Sequence, residues 1–433
     1  MTGGEGERRL SDTEATFAYT HALMRGSGRL TTSFTVHGTF SPERVERAVR
    51  RWLGRLPLLS LRITGTDDGL RFRPGPPTGA HSLRTAPAGT DDTAAGDDTV
   101  AGERLWRLRA GPGPAGTTRF RLTLHPAICD GHSVGRLVRP LLDALFDTPG
   151  LDAADRAAEA LPPDTDELTY EDGGGCVCGV CGPLPGRGAG RTTRVVTPGA
   201  VTPGAVTPGA VTPRVATPGA AKPGVVTLAL TPYESRRLRE WCRAGQVTVS
   251  GFLTTVLADA LARETGRAEV TVATAMSLRR RYAERTLIAE PGCVLGLVKA
   301  RLSAGATGDA LGRARANAAV LCSAGRAWRP ERRAHAGIRH AVEREARARG
   351  PEVRVVDAGS VDTALGPHAA RITGLCTVAA RGSGRPGGSL YLSTFKGALT
   401  VALSSRGLGE SWEARVEREL SEAVLLRPTL SPL

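Results

Sequence analysis

The chain has 433 residues, 40% hydrophobic but only 4% aromatic, with 54 glycines and 29 prolines. That length supports two medium-sized cores, and the glycine and proline load excludes a chain packed throughout, so part of it must be linker or loop. The formal net charge of +14 is almost all arginine, since only Lys222, Lys299 and Lys396 are lysines; with no aromatic platforms or recognition motif beside it, the charge argues against a nucleic-acid partner.

The opening segment has no apolar leader, and nowhere do about 20 apolar residues run together, which reads as a cytoplasmic protein with no membrane span. A helix is predicted near residues 11–24 and a strand over "TTSFTVHG" (31–38). "SPERVERAVRRWLGRLP" then reads as a capped helix, with Ser41 as N-cap, Pro42 in the first position, and Val45, Val49, Trp52 and Leu53 on one apolar stripe. "LLSLRIT" is predicted as a strand, followed by a Gly/Pro/Asp-rich loop over about 74–102. "TRFRLTLHP" alternates Phe120, Leu122 and Leu124 with Arg121, Thr123 and His125, the period of a half-buried strand. Asp130-Gly131 follows, and "HSVGRLVRPLLDALF" carries a helical apolar face interrupted by Pro140.

Cys176, Cys178 and Cys181 have a C-x-C-x-x-C spacing but no fourth ligand nearby, so no metal site is expected, and the other cysteines read as packed thiols. From 196 to 220 the sequence repeats "VTPGA"; a proline every fifth residue removes amide donors and fixes φ, so neither helix nor sheet persists there. Residues 183–225 are therefore a tether between an N-terminal unit (1–182) and a C-terminal unit (226–433). The second unit restarts with "TPYESRRLREWCRAG", where Thr231 and Glu234 have capping-box spacing and Pro232 sits in the first turn. The helix "VSGFLTTVLADALARETG", the strand "AEVTVATAM" and the arginine run "SLRRRY" come next. Further strands are predicted at "CVLGLVKARL", "ARITGLCTVAA", "SLYLSTF" and "ALTVALSS", and a closing helix at 409–424. The arginine-rich stretch 326–350 is interspersed with glutamates and reads as a solvated helical face. This irregular mixture of helices and strands predicts an α+β fold.

"HPAICDG" (125–131) resembles the HHxxxDG signature of the chloramphenicol-acetyltransferase-like superfamily, which includes nonribosomal peptide condensation domains and polyketide-associated acyltransferases. The preceding strand and following helix, the opening segment, "LTPYESRRLREWCRAGQVTVSGFLTTVLADAL" and "ATAMSLRRRY" are similar to the corresponding parts of that family. The resemblance implies two lobes in a V with a central channel. It also implies transfer of an acyl group from a coenzyme A or phosphopantetheine thioester to a small-molecule amine or alcohol acceptor, with no bound cofactor. By the same resemblance Asp130 pairs with Arg279, Gly131 permits close backbone approach, and the chain is a monomer that can meet an acidic carrier protein.

The family's catalytic second histidine falls on Pro126, which holds no proton. General-base assistance is worth about 10²- to 10⁴-fold, and positioning of two substrates can be worth more, so loss of the base need not end the reaction. His125 and His132 are the candidate replacements. Strand parity turns His125 away from the face of position 126, which also suits a structural role. His132 falls in the expected first helical turn, where the helix dipole favours a neutral, base-competent imidazole. A second departure lies where related sequences often carry an asparagine, and this chain has Gly374 and Cys376. Three readings stay open: an acyltransferase, a fold retained for binding carrier-linked ligands, and non-acyl chemistry such as cyclisation.

Overall fold

Capping fixes where the helices begin. The Ser11 side chain accepts from Glu14 N while the Glu14 carboxylate accepts from Ser11 N, starting helix α1 (Asp12–Leu23). Ser41 Oγ accepts from Arg44 N at 3.3 Å at the start of α2 (Pro42–Arg55), and Thr231 and Glu234 close a second capping box at Pro232–Ala244. The computed structural model describes residues 7–24, 26–66, 69–75, 83–85, 105–147, 165–166, 225–282, 291–304, 310–330, 332–348, 350–381 and 386–406, with 414, 416 and 418. The cysteine cluster at 176–181 and nearly all of the 183–225 tether lie outside them. Of the expected closing helix, the three described positions are helical.

The strands form three sheets. A five-stranded sheet runs in the order β12 (Ile372–Ala379), β2 (Leu30–His37), β7 (Thr117–Leu124), β6 (Trp106–Pro112) and β5 (Leu83–Thr85), antiparallel except for the β6–β5 pair. A six-stranded sheet runs in the order β10 (Leu295–Ser303), β9 (Glu269–Ser277), β11 (Glu352–Ser360), β13 (Gly387–Phe395), β14 (Ala398–Arg406) and β8 (Val225–Ala229), with β11 parallel to both of its neighbours. A small three-stranded sheet of β1 (Arg8–Arg9), β4 (Gly69–Pro74) and β3 (Leu61–Thr66), in that order, completes the set. The result is the expected α+β class. One expected strand is shorter than its sequence suggests: in "LLSLRIT" the first residues belong to a 3₁₀ turn (Pro57–Ser60), because Pro57 starts that turn and Leu58 and Leu59 turn into the core.

Two apolar cores result. The first packs Phe34, Trp52, Trp106, Phe120 and Leu137, with the two indoles edge-on at 5.1 Å between ring centroids. Each indole N–H finds a carbonyl, Trp52 Nε1 donating to Leu137 O at 2.8 Å and Trp106 Nε1 to Leu59 O at 2.7 Å. The second gathers Phe252, Leu257, Val272, Val353 and Leu390. The tether does not divide the strands cleanly. β12 (Ile372–Ala379) belongs to the second half of the chain yet pairs antiparallel with β2 of the first, and Ala358, Leu375 and Tyr391 pack in the first core.

Candidate active site

The HPAICDG segment leaves β7 at Leu124, so His125 is not the last strand residue that its alternation suggests. Its amide still donates to Leu105 O at 2.8 Å, but its carbonyl accepts from Ile128 N at 3.1 Å and closes a tight turn. Pro126 occupies the second position of that turn, where a fixed φ fits and no N–H is needed. It packs beneath Gly28 (φ +82°), whose absent side chain would meet the proline ring at 3.5 Å. His125 is sealed inside, its Nδ1 accepting from Ala127 N at 3.1 Å and its ring 4.2 Å from that of His21. The occupied Nδ1 assigns the ring proton to Nε2. Burial, and then the neighbouring His21, hold the imidazole well below the usual histidine range, so it stays neutral.

Asp130 is the hub of the segment. Its Oδ2 accepts from Arg279 Nη2 at 2.7 Å and from Val294 N at 3.0 Å, while its Oδ1 accepts from Ser133 N at 2.9 Å and Ser133 Oγ at 2.8 Å. Arg279 Nη2 also reaches Ser133 Oγ and Gly292 O, and Gly292 N donates to Ser133 Oγ at 3.0 Å. Four donors therefore satisfy one buried carboxylate. Burial alone would push it up, but Arg279, His132, Ser133 and Val294 outweigh that and hold it below the usual carboxylate range. Asp130 closes its own turn through Ser133 N and does not cap the helix that follows. α3 (Val134–Leu145) starts later, with Ser133 preceding it.

Gly131 lies against β11: a Cβ there would come within 2.7 Å of Val356 Cγ1. Its carbonyl accepts from the Tyr391 hydroxyl at 3.1 Å, and burial keeps that phenol protonated as a donor. His132 is half-buried in the turn before α3, outside the helical first turn where the sequence suggests it, and its carbonyl accepts from Arg136 Nη1 at 2.7 Å. Cys129 is a packed thiol, pushed up first by burial and then by Asp130. Among the described residues no group of three or more His, Cys, Asp or Glu side chains is arranged to hold a metal ion, and no helix is long and apolar enough to cross a membrane.

No family model and no curated protein sequence matches the chain. Solved structures do. The TRI3 trichothecene 15-O-acetyltransferase from Fusarium sporotrichioides superposes with a TM-score of 0.68 at 13% identity, covering 97% of this chain and 95% of that one. The first condensation domain of the CDA synthetase gives 0.59 at 15% identity over 98% and 97% of the two chains. The chain has the chloramphenicol-acetyltransferase-like fold. The starter condensation domain of rhizomide synthetase, solved with C8-CoA, shares it with a TM-score of 0.59 at 14% identity, over 97% of this chain and 95% of that one.

Within this CAT-like fold the structure brings Asp130, Gly131 and Arg279 together, leaves His125 behind them in the core, and sets His132 beside them with partial access to solvent. Gly374 and Cys376 are on β12, paired with Thr35 and Ser33 of β2. Sequence reasoning missed His21, Ser133, Gly292 and Tyr391. Ser133, three residues after Asp130, is at a spacing that signals a side-chain turn; the other three carry no local signal.

Proposed function

We propose that the protein is an acyltransferase of condensation type, moving an acyl group from a coenzyme A or carrier-protein thioester to an amine or alcohol acceptor in specialised polyketide or peptide metabolism. The observation that carries this reading is the buried Asp130–Arg279 clamp, which locks the HPAICDG turn to the second half of a CAT-like fold. Structural neighbours among acetyltransferases and synthetase condensation domains support the same class. The net charge of +14 suits an acidic carrier protein as the source of the thioester.

In this reading the acceptor's N or O attacks the thioester carbonyl, the carbon–sulfur bond breaks, and the thiolate leaves with the proton that the acceptor gave up. Pro126 takes no part in the proton's path. His125 is poorly suited to take it, because burial seals its ring and Nδ1 is already an acceptor. His132, half-buried beside the clamp, is the better substitute base, and a free amine acceptor needs least help because its lone pair is already available.

The test is incubation of the purified protein with acyl-CoA and acyl-pantetheine thioesters and panels of amines and alcohols, with products followed by mass spectrometry. Transfer favouring amines, and lost in His132→Ala, is the expected result. No transfer from any thioester overturns the proposal. One observation favours a second reading: proline at the catalytic position, with a sequestered His125 beside it, suits a fold retained to bind carrier-linked ligands without turnover. Salt-sensitive binding of an acylated carrier with no product is its signature.

A further inference from the structure

We propose that Arg354 is a positioning residue for the acyl-transfer step, holding the Gly26–Gly28 turn down on Pro126 so that the HPAICDG segment is fixed at its entry end as Asp130 and Arg279 fix its exit. This rests on the acyl-transfer reading above and names a residue that the motif does not contain. Arg354 reaches from β11 to three partners on separate parts of the chain. Its Nη1 donates to the buried Ser27 Oγ at 3.3 Å, its Nη2 lies 3.2 Å from Glu345 Oε1 of the helix His335–Arg347 and 3.9 Å from Met24 Sδ, and its Nε donates to Glu352 Oε1 at 2.7 Å. Met24 and Ser27 belong to the turn that leaves α1. Two residues on from Arg354, and so on the same face of β11, Val356 is the side chain that Gly131 packs against. One strand face therefore meets both ends of the motif segment.

The turn after α1 is held from its other side as well. Gly28 N donates to Ala380 O at 2.9 Å and Ala380 N to Arg29 O at 2.7 Å, and the next residue, Arg381, places Nη1 3.1 Å from the same Glu352 oxygen that Arg354 uses. One buried carboxylate thus joins the arginine that grips Ser27 to the chain that pairs with Gly28. Gly26 and Gly28, with φ of +83° and +82°, give the turn its path, and a Cβ on Gly28 would already touch the Pro126 ring at 3.5 Å and Phe17 Cδ1 at 3.6 Å. No more than a methyl group fits between turn and motif. Pinned at Asp130 alone, the HPAICDG segment can pivot about the Arg279 contact; pinned at Pro126 too, it presents Gly131 and His132 in one orientation. Misplacing a reacting group by about 1 Å costs on the order of a hundredfold in rate, so loss of the entry pin is read in turnover.

Two variants and two readouts test this. Arg354→Gln leaves each carboxylate a cation, Glu352 keeping Arg381 and Glu345 keeping Lys299, and Ser27→Ala removes the acceptor while leaving every one of these ion pairs in place. Hydrogen exchange read at single amides should be faster than in the parent over Gly26–Gly28 and at Ala127 and Ile128 in both variants, with α3 unchanged. Parental exchange at Ala127 and Ile128 in both overturns the positioning. Well below the melting temperature of each variant, kcat should fall at least about tenfold in Arg354→Gln and by a smaller factor in Ser27→Ala, with KM little changed. Parental kcat in both, or a raised KM with kcat intact, overturns the proposal. Faster exchange in a parent protein that transfers no acyl group overturns the acyl-transfer reading and the catalytic consequence with it, while the hold of Arg354 on the turn is established by the exchange alone.

Discussion

Arg279 Nη2 lies 2.7 Å from Asp130 Oδ2 with both side chains almost wholly shielded from water, 4% and 1% exposed. The contact bridges 149 positions of sequence. Removing either partner strands a buried charge, which costs about 3 to 5 kcal/mol. Arg279→Ala is therefore expected to lower the unfolding free energy by that order, and Asp130→Asn by less, since the amide keeps an acceptor. Urea denaturation of the two variants measures both. The folded carboxyl of Asp130 is held down, so its stabilisation is present above the ordinary aspartate range and is lost as pH falls through the folded value.

Glu352 predicts a second acid-labile contribution. This carboxylate, 1% exposed, accepts from Arg354 Nε at 2.7 Å and Arg381 Nη1 at 3.1 Å. Burial opposes its charge, but the two guanidinium groups lower it from 4.5 to about 2. Its stabilisation is complete above about pH 4.5 and is lost between there and about pH 2, on the order of 3 kcal/mol as an upper bound. Glu352→Gln should flatten the fall of stability across that window in denaturation curves taken at successive pH values.

His125 should act on stability more than on turnover. Its neutral ring accepts a backbone bond inside the core, so His125→Ala is expected to cost about 2 kcal/mol and to lower kcat less than His132→Ala does. The folded protein resists protonating this ring. The unfolded chain takes up the proton near pH 6.5, so stability declines as pH falls below that value. In His125→Phe this part of the decline should vanish in thermal melts between pH 5 and 7.

Gly131→Ala places a methyl 2.7 Å from Val356 Cγ1, with Ala358 Cβ and Tyr391 Cε2 at 3.5 and 3.6 Å. Relief requires the turn to lift from β11, at roughly 1 to 3 kcal/mol. Lifting also displaces the carbonyl that accepts from Tyr391. A lowered melting temperature together with reduced turnover is expected, and Val356→Ala in the same chain should restore part of both.

Pro126→His puts a titratable ring at the position to which the proposed acyl-transfer reading assigns the missing base. Pro126 is buried with its ring against Gly28, so the imidazole has to take over that packing. An increase of about 10²- to 10⁴-fold in turnover is expected for alcohol acceptors, with a smaller one for amines. Product formation measured with matched pairs of acceptors gives the ratio directly.

Much of this was legible in the sequence where the signal is local. Ser41-Pro42 and Thr231-Pro232-Glu234 announce their helices because a cap and its partner lie within one turn. The 125–131 motif pointed to Arg279 only through a resemblance, since nothing in "SLRRRY" says which arginine reaches Asp130, and Arg279 and Arg281 are both buried. β11 escaped notice because "EVRVVDAGS" alternates poorly, being paired with parallel neighbours on both sides. His21 sits in an unremarkable helix and becomes meaningful only when α1 folds against the turn.

The route of β12 governs how this molecule can assemble. Thr32 and Thr377, 345 residues apart, share a hydroxyl hydrogen bond across β2 and β12, so the first sheet is completed by a segment synthesised long after the rest of it. Until that late segment docks, the backbone of β2 stands as an unpaired edge able to recruit foreign strands. A fragment ending at the tether would lack β12 and keep that edge open, so the first half of the chain borrows from the second the strand that closes its sheet.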